Sequence, residues 1–151
     1  MTENDLSQAQ DILFLLNQVF EWEELFRLPG YTHADTELGA AVVTEGARFS
    51  EAELAPLNQL GDQQGCRLTD GEVEVPEPFR QAYRQLAEGG WLGLDLPEQY
   101  GGQALPLTLA TVFSEQVNNA CMAFGMMPCL TRAAATLLVE HADSALKERL
   151  V

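Results

Sequence analysis

The sequence has little positive charge. Its 151 residues hold 8 Lys and Arg against 23 Asp and Glu, so the formal net charge is -15, and Lys147 is the one lysine. Proteins that bind nucleic acid or anionic membrane surfaces use clustered lysine and arginine to neutralise phosphates. We therefore expect no nucleic acid among the partners. The acidity is uneven, since residues 1–75 carry a net charge of -12 and residues 76–151 carry -3.

Cysteines and long apolar runs are also scarce. Three cysteines, Cys66, Cys121 and Cys129, form neither a disulfide framework nor a CxxC metal knuckle, so we expect reduced thiols. The apolar run at 12–16 is far shorter than a membrane span, and no transmembrane helix is predicted. The first five residues lack the positive region of a secretory signal, which predicts a cytoplasmic location.

The signatures of common catalytic sites are missing as well. The sequence contains no Walker loop, no HExxH, no GxSxG and no cluster of metal ligands. The search of the sequence for a catalytic constellation is therefore mostly negative, and no metal site is predicted. What the sequence does have is 46% hydrophobic residues, including seven Phe and two Trp, which suffices for one sizeable core.

Helical spacing of apolar residues dominates the chain. It predicts an all-α fold of five or six helices in an orthogonal or bundled packing. The first predicted helix spans about 7–25, and the second begins at Asp35 or Thr36 with a kink or restart at Pro56. Further helices are predicted to begin at Pro78 and at Pro106, to follow an apolar stripe at 130–141, and to begin after a cap at Asp143. Between 66 and 76, an Asp-Gly turn with short alternating flanks predicts a small hairpin or an extended loop.

The most informative segment runs from 89 to 102 and combines glycines with large apolar side chains. The residues that define it are Trp91, Gly93, Pro97, Glu98, Tyr100, Gly101 and Gly102. Glycines in a mostly apolar loop indicate backbone that passes close to other elements, and the aromatic residues supply anchors. On these grounds the segment is predicted to be a rigid, buried connection between helices. A phosphate cradle is disfavoured, because no Lys-Ser or Lys-Thr follows the glycines.

This segment also resembles a family signature. Residues 90–94, Gly-Trp-Leu-Gly-Leu, and residues 97–102, Pro-Glu-Gln-Tyr-Gly-Gly, closely resemble the GW-x-GL-x-x-PE-x-YGG pattern in the N-terminal helical domain of acyl-CoA dehydrogenases. Downstream, residues 115–128 and 141–150 look like the helix, turn and closing helix that follow in that domain.

Upstream segments resemble one subgroup of the family. Residues 12–17 with 28–30, and residues 55–58 with 61–66, look like the N-terminal helical extension of the 3-methylmercaptopropionyl-CoA dehydrogenase-like subgroup. The resemblance divides the chain into that extension at 1–60 and the family's N-terminal helical domain at 61–151. The middle β domain and the C-terminal helical domain of the family are absent from this sequence.

The resemblance implies an FAD-dependent oxidoreductase that dehydrogenates the α,β bond of an acyl-CoA thioester. It also implies an electron-transfer partner protein and a homo-oligomeric whole enzyme. The family's catalytic base and nearly all of its FAD contacts lie in the two absent parts, so the resemblance implies no catalytic and no cofactor-binding residue in this chain. A net charge of -15 also suits the chain poorly to holding the phosphates of FAD or CoA by itself.

In the family, this domain contributes part of the wall of the acyl-chain cavity. The residues that match this part are Met122, Phe124, Met126, Met127 and Leu130. Methionine is flexible and polarizable, which suits a wall that contacts an aliphatic chain, although an ordinary core role stays open for each residue. If the segment forms such a wall, we expect it to present an exposed apolar face in this chain alone.

Two classes of function are compatible with these observations. The leading one is the N-terminal domain, or a fragment, of an acyl-CoA dehydrogenase that works only with the other two domains. The alternative is a free-standing, non-catalytic helical module that binds an acyl group or a partner protein. The sequence stops where the family would continue into its β domain, which favours the first.

Overall fold

In the computed structural model, the backbone is described for residues 5–151 and the side chains for residues 8–151. The elements are α1 (Asp5–Gln18), α2 (Glu23–Phe26), α3 (Thr36–Phe49), α4 (Ala55–Gln64), β1 (Arg67–Thr69), β2 (Glu72–Glu74), α5 (Glu77–Glu88), α6 (Leu107–Ala120), α7 (Met122–His141) and α8 (Ser144–Leu150). Within this described part, seven helices have seven or more residues and α2 is a single turn. The predicted all-α class is confirmed.

The hydrophobic core of the described residues joins helices from both ends of the chain. Helix α3 packs against α1 and α6, and α6 packs against α7. Each of these helices contributes buried side chains, among them Ile12, Leu16, Val43, Phe113, Val117 and Phe124. The core therefore includes residues on both sides of position 60. The domain boundary at that position stays a prediction.

The predicted helix at 7–25 is divided into α1 and α2. Between them Glu21 has φ 47, a left-handed conformation that interrupts an α-helix. Trp22 then turns into the core, where its indole Nε1 donates to Asn17 Oδ1 at 2.9 Å. Phe20, which fits the apolar spacing of a longer helix, is exposed. The prediction of one continuous helix was wrong because a single positive φ redirects the chain.

Helix α3 begins where its sequence signals predict. Asp35 is its N-cap, with Oδ1 accepting a hydrogen bond from the Leu38 N–H at 2.8 Å. After α3, residues Ser50–Leu54 form a π-helical turn in which the Ala55 N–H bonds to the Ser50 carbonyl. The wider turn immediately precedes Pro56, which lacks an N–H, and α4 follows. The sequence predicted a kink or a restart at Pro56, and the structure has the π-helical turn followed by the start of α4 there.

Helix α7 is longer than predicted. It begins at residue 122 and contains Pro128, whereas the sequence predicts a turn there and a helix from about 130. A proline inside a helix removes one backbone hydrogen bond, but the Pro128 ring is buried and lines a small cavity with Val117 of α6. After α7, Asp143 Oδ1 accepts from the Leu146 N–H at 2.9 Å and caps α8, as predicted.

The segment at 66–76 forms the predicted hairpin. Strands β1 and β2 are antiparallel, with Leu68 opposite Val73, and every residue in both strands is exposed. Asp70 has φ 52 and Gly71 has φ 85, so both central residues of the turn are left-handed, as a type I′ turn requires.

Candidate functional site

The glycine-rich loop between α5 and α6 folds into two short 3-10 turns, Trp91–Gly93 and Glu98–Tyr100. Backbone hydrogen bonds then tie the loop's two arms together. The Gln103 N–H donates to the Gly93 carbonyl at 2.9 Å, and the Leu105 N–H donates to the Leu94 carbonyl at 2.8 Å. The loop is therefore held by its own main chain as well as by side-chain packing.

Two adjacent glycines allow this folding for different reasons. A Cβ atom on Gly102 would lie 2.0 Å from the Leu96 carbonyl oxygen, so any side chain there would collide with backbone. Gly101 has open space around it but a φ of 81, a backbone conformation that residues other than glycine rarely adopt. At Gly102 the arms of the loop are therefore too close together to admit a side chain.

Trp91 anchors the loop to the core. Its ring stacks on Phe113 of α6, with centroids 4.3 Å apart and an interplanar angle of 17°, and it also faces Phe49 at 6.2 Å. Offset aromatic stacking adds to the burial of apolar area. Trp91 thus joins the loop to α6, the helix that directly precedes α7 in the chain.

The five residues predicted to form an acyl-cavity wall are separated by the geometry of α7. Met122, Met126 and Leu130 follow one another at spacings of four and are 60%, 58% and 69% exposed. Phe124 lies two residues from Met122, about 200° around the helix, and is fully buried. Met127 is half-buried beside the core. The predicted exposure is thus found for three of the five, and Phe124 is a core residue.

The exposed face continues along α7. Leu137 is 61% exposed and Ala133 is also exposed, both on the side of Met122 and Met126. We call the set Met122, Met126, Leu130, Ala133 and Leu137 the α7 stripe. Helix α7 is long and apolar enough to cross a membrane by those two measures alone, but one such helix does not establish a membrane span. The absence of a span stays a prediction.

A cleft of about 630 Å³ opens beside the α7 stripe, between the glycine-rich loop and α7. Arg132 of α7 and Asp95 of the loop form an ion pair in its wall, 2.7 Å from Nη2 to Oδ1, with Ser114 and Glu140 nearby in the lining. Arg132 also borders an inner cavity of about 30 Å³, room for about one water molecule. This pair was not predicted from the sequence, since residues 37 positions apart carry no local signal of contact.

The residues with described side chains form no candidate metal site. No group of three His, Cys, Asp or Glu residues comes together among them. Cys121 is buried, while Cys66 and Cys129 are exposed and unbonded to each other.

Comparison with known proteins identifies the family. The family described as "Acyl-CoA dehydrogenase, N-terminal domain" matches residues 36–151. The chain belongs to the acyl-CoA dehydrogenase family. It corresponds to the N-terminal domain, and the resemblance drawn from the loop signature is confirmed.

Two acyl-CoA dehydrogenases are among its relatives. The chain is 35% identical to the 3-methylmercaptopropionyl-CoA dehydrogenase of Ruegeria pomeroyi over 130 residues, which is 86% of this chain and 22% of that protein. It is 27% identical to the butyryl-CoA dehydrogenase of Syntrophomonas wolfei over 153 residues, which is 99% of this chain and 25% of that protein. The chain thus spans about a quarter or less of the length of the curated relatives it matches.

Proposed function

We propose that this chain is the N-terminal helical part of an FAD-dependent acyl-CoA dehydrogenase and that its α7 stripe forms part of the acyl-chain cavity. The reaction is the α,β-dehydrogenation of an acyl-CoA thioester. Membership of the family supports the reaction class. The observation that carries the cavity assignment is the α7 stripe itself, an apolar face left open in a chain with a net charge of -15.

The chemistry of the stripe favours an aliphatic ligand. Met122 and Met126 have flexible, polarizable side chains that adapt to an acyl chain, and Leu130 continues the same face. The identity to a 3-methylmercaptopropionyl-CoA dehydrogenase favours the subgroup with an N-terminal extension. We propose that residues 1–60 are that extension.

The described residues do not fit FAD. The 630 Å³ cleft offers one guanidinium, Arg132, which already pairs with Asp95, and it also exposes the Glu140 carboxylate. A diphosphate would meet two negative side chains for one neutralised cation, which opposes its binding. We therefore assign no flavin contact and no step of hydride transfer to this chain. The family resemblance supports FAD for the whole protein, with an electron-transfer partner, a homo-oligomer and a cytoplasmic location as parts of the same proposal.

A domain exchange tests the proposal. We would replace the matching N-terminal segment of the Ruegeria pomeroyi relative with this chain and measure acyl-CoA-dependent reduction of an artificial electron acceptor. We expect the chimera to bind flavin and to be active. A Met126→Trp substitution should then lower kcat/KM for longer acyl-CoA substrates about tenfold more than for short ones, because the indole fills the cavity.

Leu68→Trp is the matched control, since Leu68 is 74% exposed in the hairpin and is not part of the α7 stripe. It should leave the chain-length preference unchanged. A chimera that folds, binds flavin and shows the same preference with Met126→Trp would contradict the cavity assignment. A folded chimera without any activity would instead favour the alternative, a non-catalytic module that binds an acyl group or a partner protein.

The isolated chain provides a second test. We expect the purified 151-residue protein to be colourless and to lack flavin absorption bands. A flavin that copurifies with it in stoichiometric amount would overturn the assignment of the FAD contacts to other domains.

A further inference from the structure

A groove between α5 and α7 differs in charge from the rest of this acidic chain. It has a volume of about 450 Å³ and includes two of the eight cationic residues of the sequence, Arg80 and Arg84. Both belong to α5 and lie four residues apart, so they occupy neighbouring positions on one face of the helix. The groove does not include the α7 stripe.

The ion pair of Arg84 indicates the direction of its side chain along α5. Arg84 Nη2 donates to Glu77 Oε1 at 2.9 Å, so its guanidinium extends toward the start of α5, over the turn that holds Arg80. The two side chains of this ion pair are 64% and 69% exposed. Exposed pairs contribute little to stability, so an incoming anion can replace Glu77 at low cost.

Arg80 is available for an anion. The arginines that form ion pairs with described side chains are Arg27, Arg48, Arg84 and Arg132, and Arg80 is not one of them. Two guanidinium groups on neighbouring turns offer several N–H donors, which suits the oxygens of a carboxylate or phosphate.

The inner part of the groove is apolar with one polar pair. Phe79 is buried at 7% exposure and Met127 is half-buried, and both line the groove. Tyr83 Oη lies 3.5 Å from Thr131 Oγ1, which joins α5 to α7 across the groove. The site therefore has a cationic rim, hydroxyl groups within reach and an apolar floor.

We propose that this groove binds a small amphiphilic oxyanion, a carboxylate or phosphate on a short alkyl tail. The head group contacts Arg80 and Arg84, and the tail lies on Phe79 and Met127. A large polyanion is disfavoured, because the net charge of -15 repels it as a whole while the local cations neutralise only one or two charges. The inference is independent of the catalytic role proposed above.

The test uses the complete 151-residue chain and defined probes. Hexyl phosphate and hexanoate, each below its micellar concentration, would be titrated into the isotope-labelled protein and followed by NMR. We expect saturable shifts of the amides at 79–84 and 127–131 with one or both probes, and the preferred probe distinguishes a phosphate head group from a carboxylate. Ethyl phosphate should bind at least fivefold more weakly than hexyl phosphate, because it buries less apolar surface.

Arginine-to-glutamine variants distinguish binding in the groove from general electrostatic attraction to the protein. Arg80→Gln combined with Arg84→Gln should weaken binding at least tenfold, whereas Arg27→Gln, at another exposed ion-paired arginine, should leave it unchanged. Both changes are on the surface, and circular dichroism would confirm that the helices persist. Equal binding of hexylammonium, equal binding by the double variant, or no saturable binding of either oxyanion would overturn the proposal.

Discussion

Arg132 of α7 donates a hydrogen bond to Asp95 of the glycine-rich loop, with 2.7 Å between Nη2 and Oδ1. Their side chains are 24% and 14% exposed, whereas those in the other ion pairs of the described residues are at least 54% exposed. Charges are attracted more strongly where water is partly excluded. This pair therefore fixes the loop against the helix that carries the α7 stripe.

Removal of one partner of this pair should destabilise the fold. We expect Asp95→Asn to lower the free energy of unfolding by about 2 kcal/mol, because Arg132 then keeps a half-buried charge without its counter-ion. Glu45→Gln, which breaks an exposed pair with Arg48, should cost less than about 1 kcal/mol. Urea unfolding would measure both. Equal losses would show that the Asp95 pair is no stronger than a surface pair.

Three glycine substitutions should separate steric collision from backbone strain. Gly102→Ala should cost about 3 kcal/mol, since its Cβ would collide with the Leu96 carbonyl. Gly101→Ala should cost about 1 to 2 kcal/mol, because the only penalty is the left-handed φ. Gly30→Ala has neither problem and should be neutral or slightly stabilising. A different order of unfolding midpoints in urea would contradict the loop geometry.

Gln116 of α6 should be replaceable in spite of its burial. Its Nε2 donates to the Val43 carbonyl at 2.9 Å, while its Oε1 has no hydrogen-bond partner among the described residues. Gln116→Met removes the unsatisfied oxygen together with one hydrogen bond, so stability should change by less than about 1 kcal/mol. Phe124→Ala, which opens a cavity in the same core, should cost about 4 kcal/mol.

Calorimetric or urea unfolding would compare these two variants with the parent chain. A loss above about 2 kcal/mol for Gln116→Met would mean that Oε1 accepts a hydrogen bond in solution, for example from an internal water.

The α7 stripe should promote self-association of the isolated chain. The net charge of -15 opposes association, so we expect it to increase with salt concentration as repulsion between copies is screened. Met126→Lys combined with Leu130→Lys should abolish the salt-induced association in sedimentation experiments, whereas Leu68→Lys should not. A chain that stays monomeric at every salt concentration would argue that the stripe is too small or too mobile to bind another surface.

Sequence reasoning succeeded where a local chemical signal exists. The Asp35 carboxylate, Pro56 and the Asp70-Gly71 turn each act within a few residues, so the start of α3, an interruption of the helix near Pro56 and the hairpin could be predicted. It failed where the outcome depends on tertiary packing. A left-handed Glu21 and a buried Pro128 have no distinctive neighbours in the sequence, and both changed helix boundaries.

The candidate site could be predicted from the sequence only in part, for the same reason. The methionines at 122 and 126 and the leucine at 130 could be selected by residue type and resemblance. Which of their neighbours turn inward depends on the exact start of α7, and a predicted turn at 128 left that phase undefined. The contact of Asp95 with Arg132 required the fold itself.

The hairpin at 67–74 is a suitable place to attach a label or a tag to this protein. Its strands are wholly exposed, and its tight turn sits on the surface, so the core does not depend on what is attached there. Cys66 precedes it with an exposed thiol. A fluorophore on that thiol, or an affinity tag inserted at the turn, would be attached at residues that line neither the groove nor the cleft and lie outside the stripe.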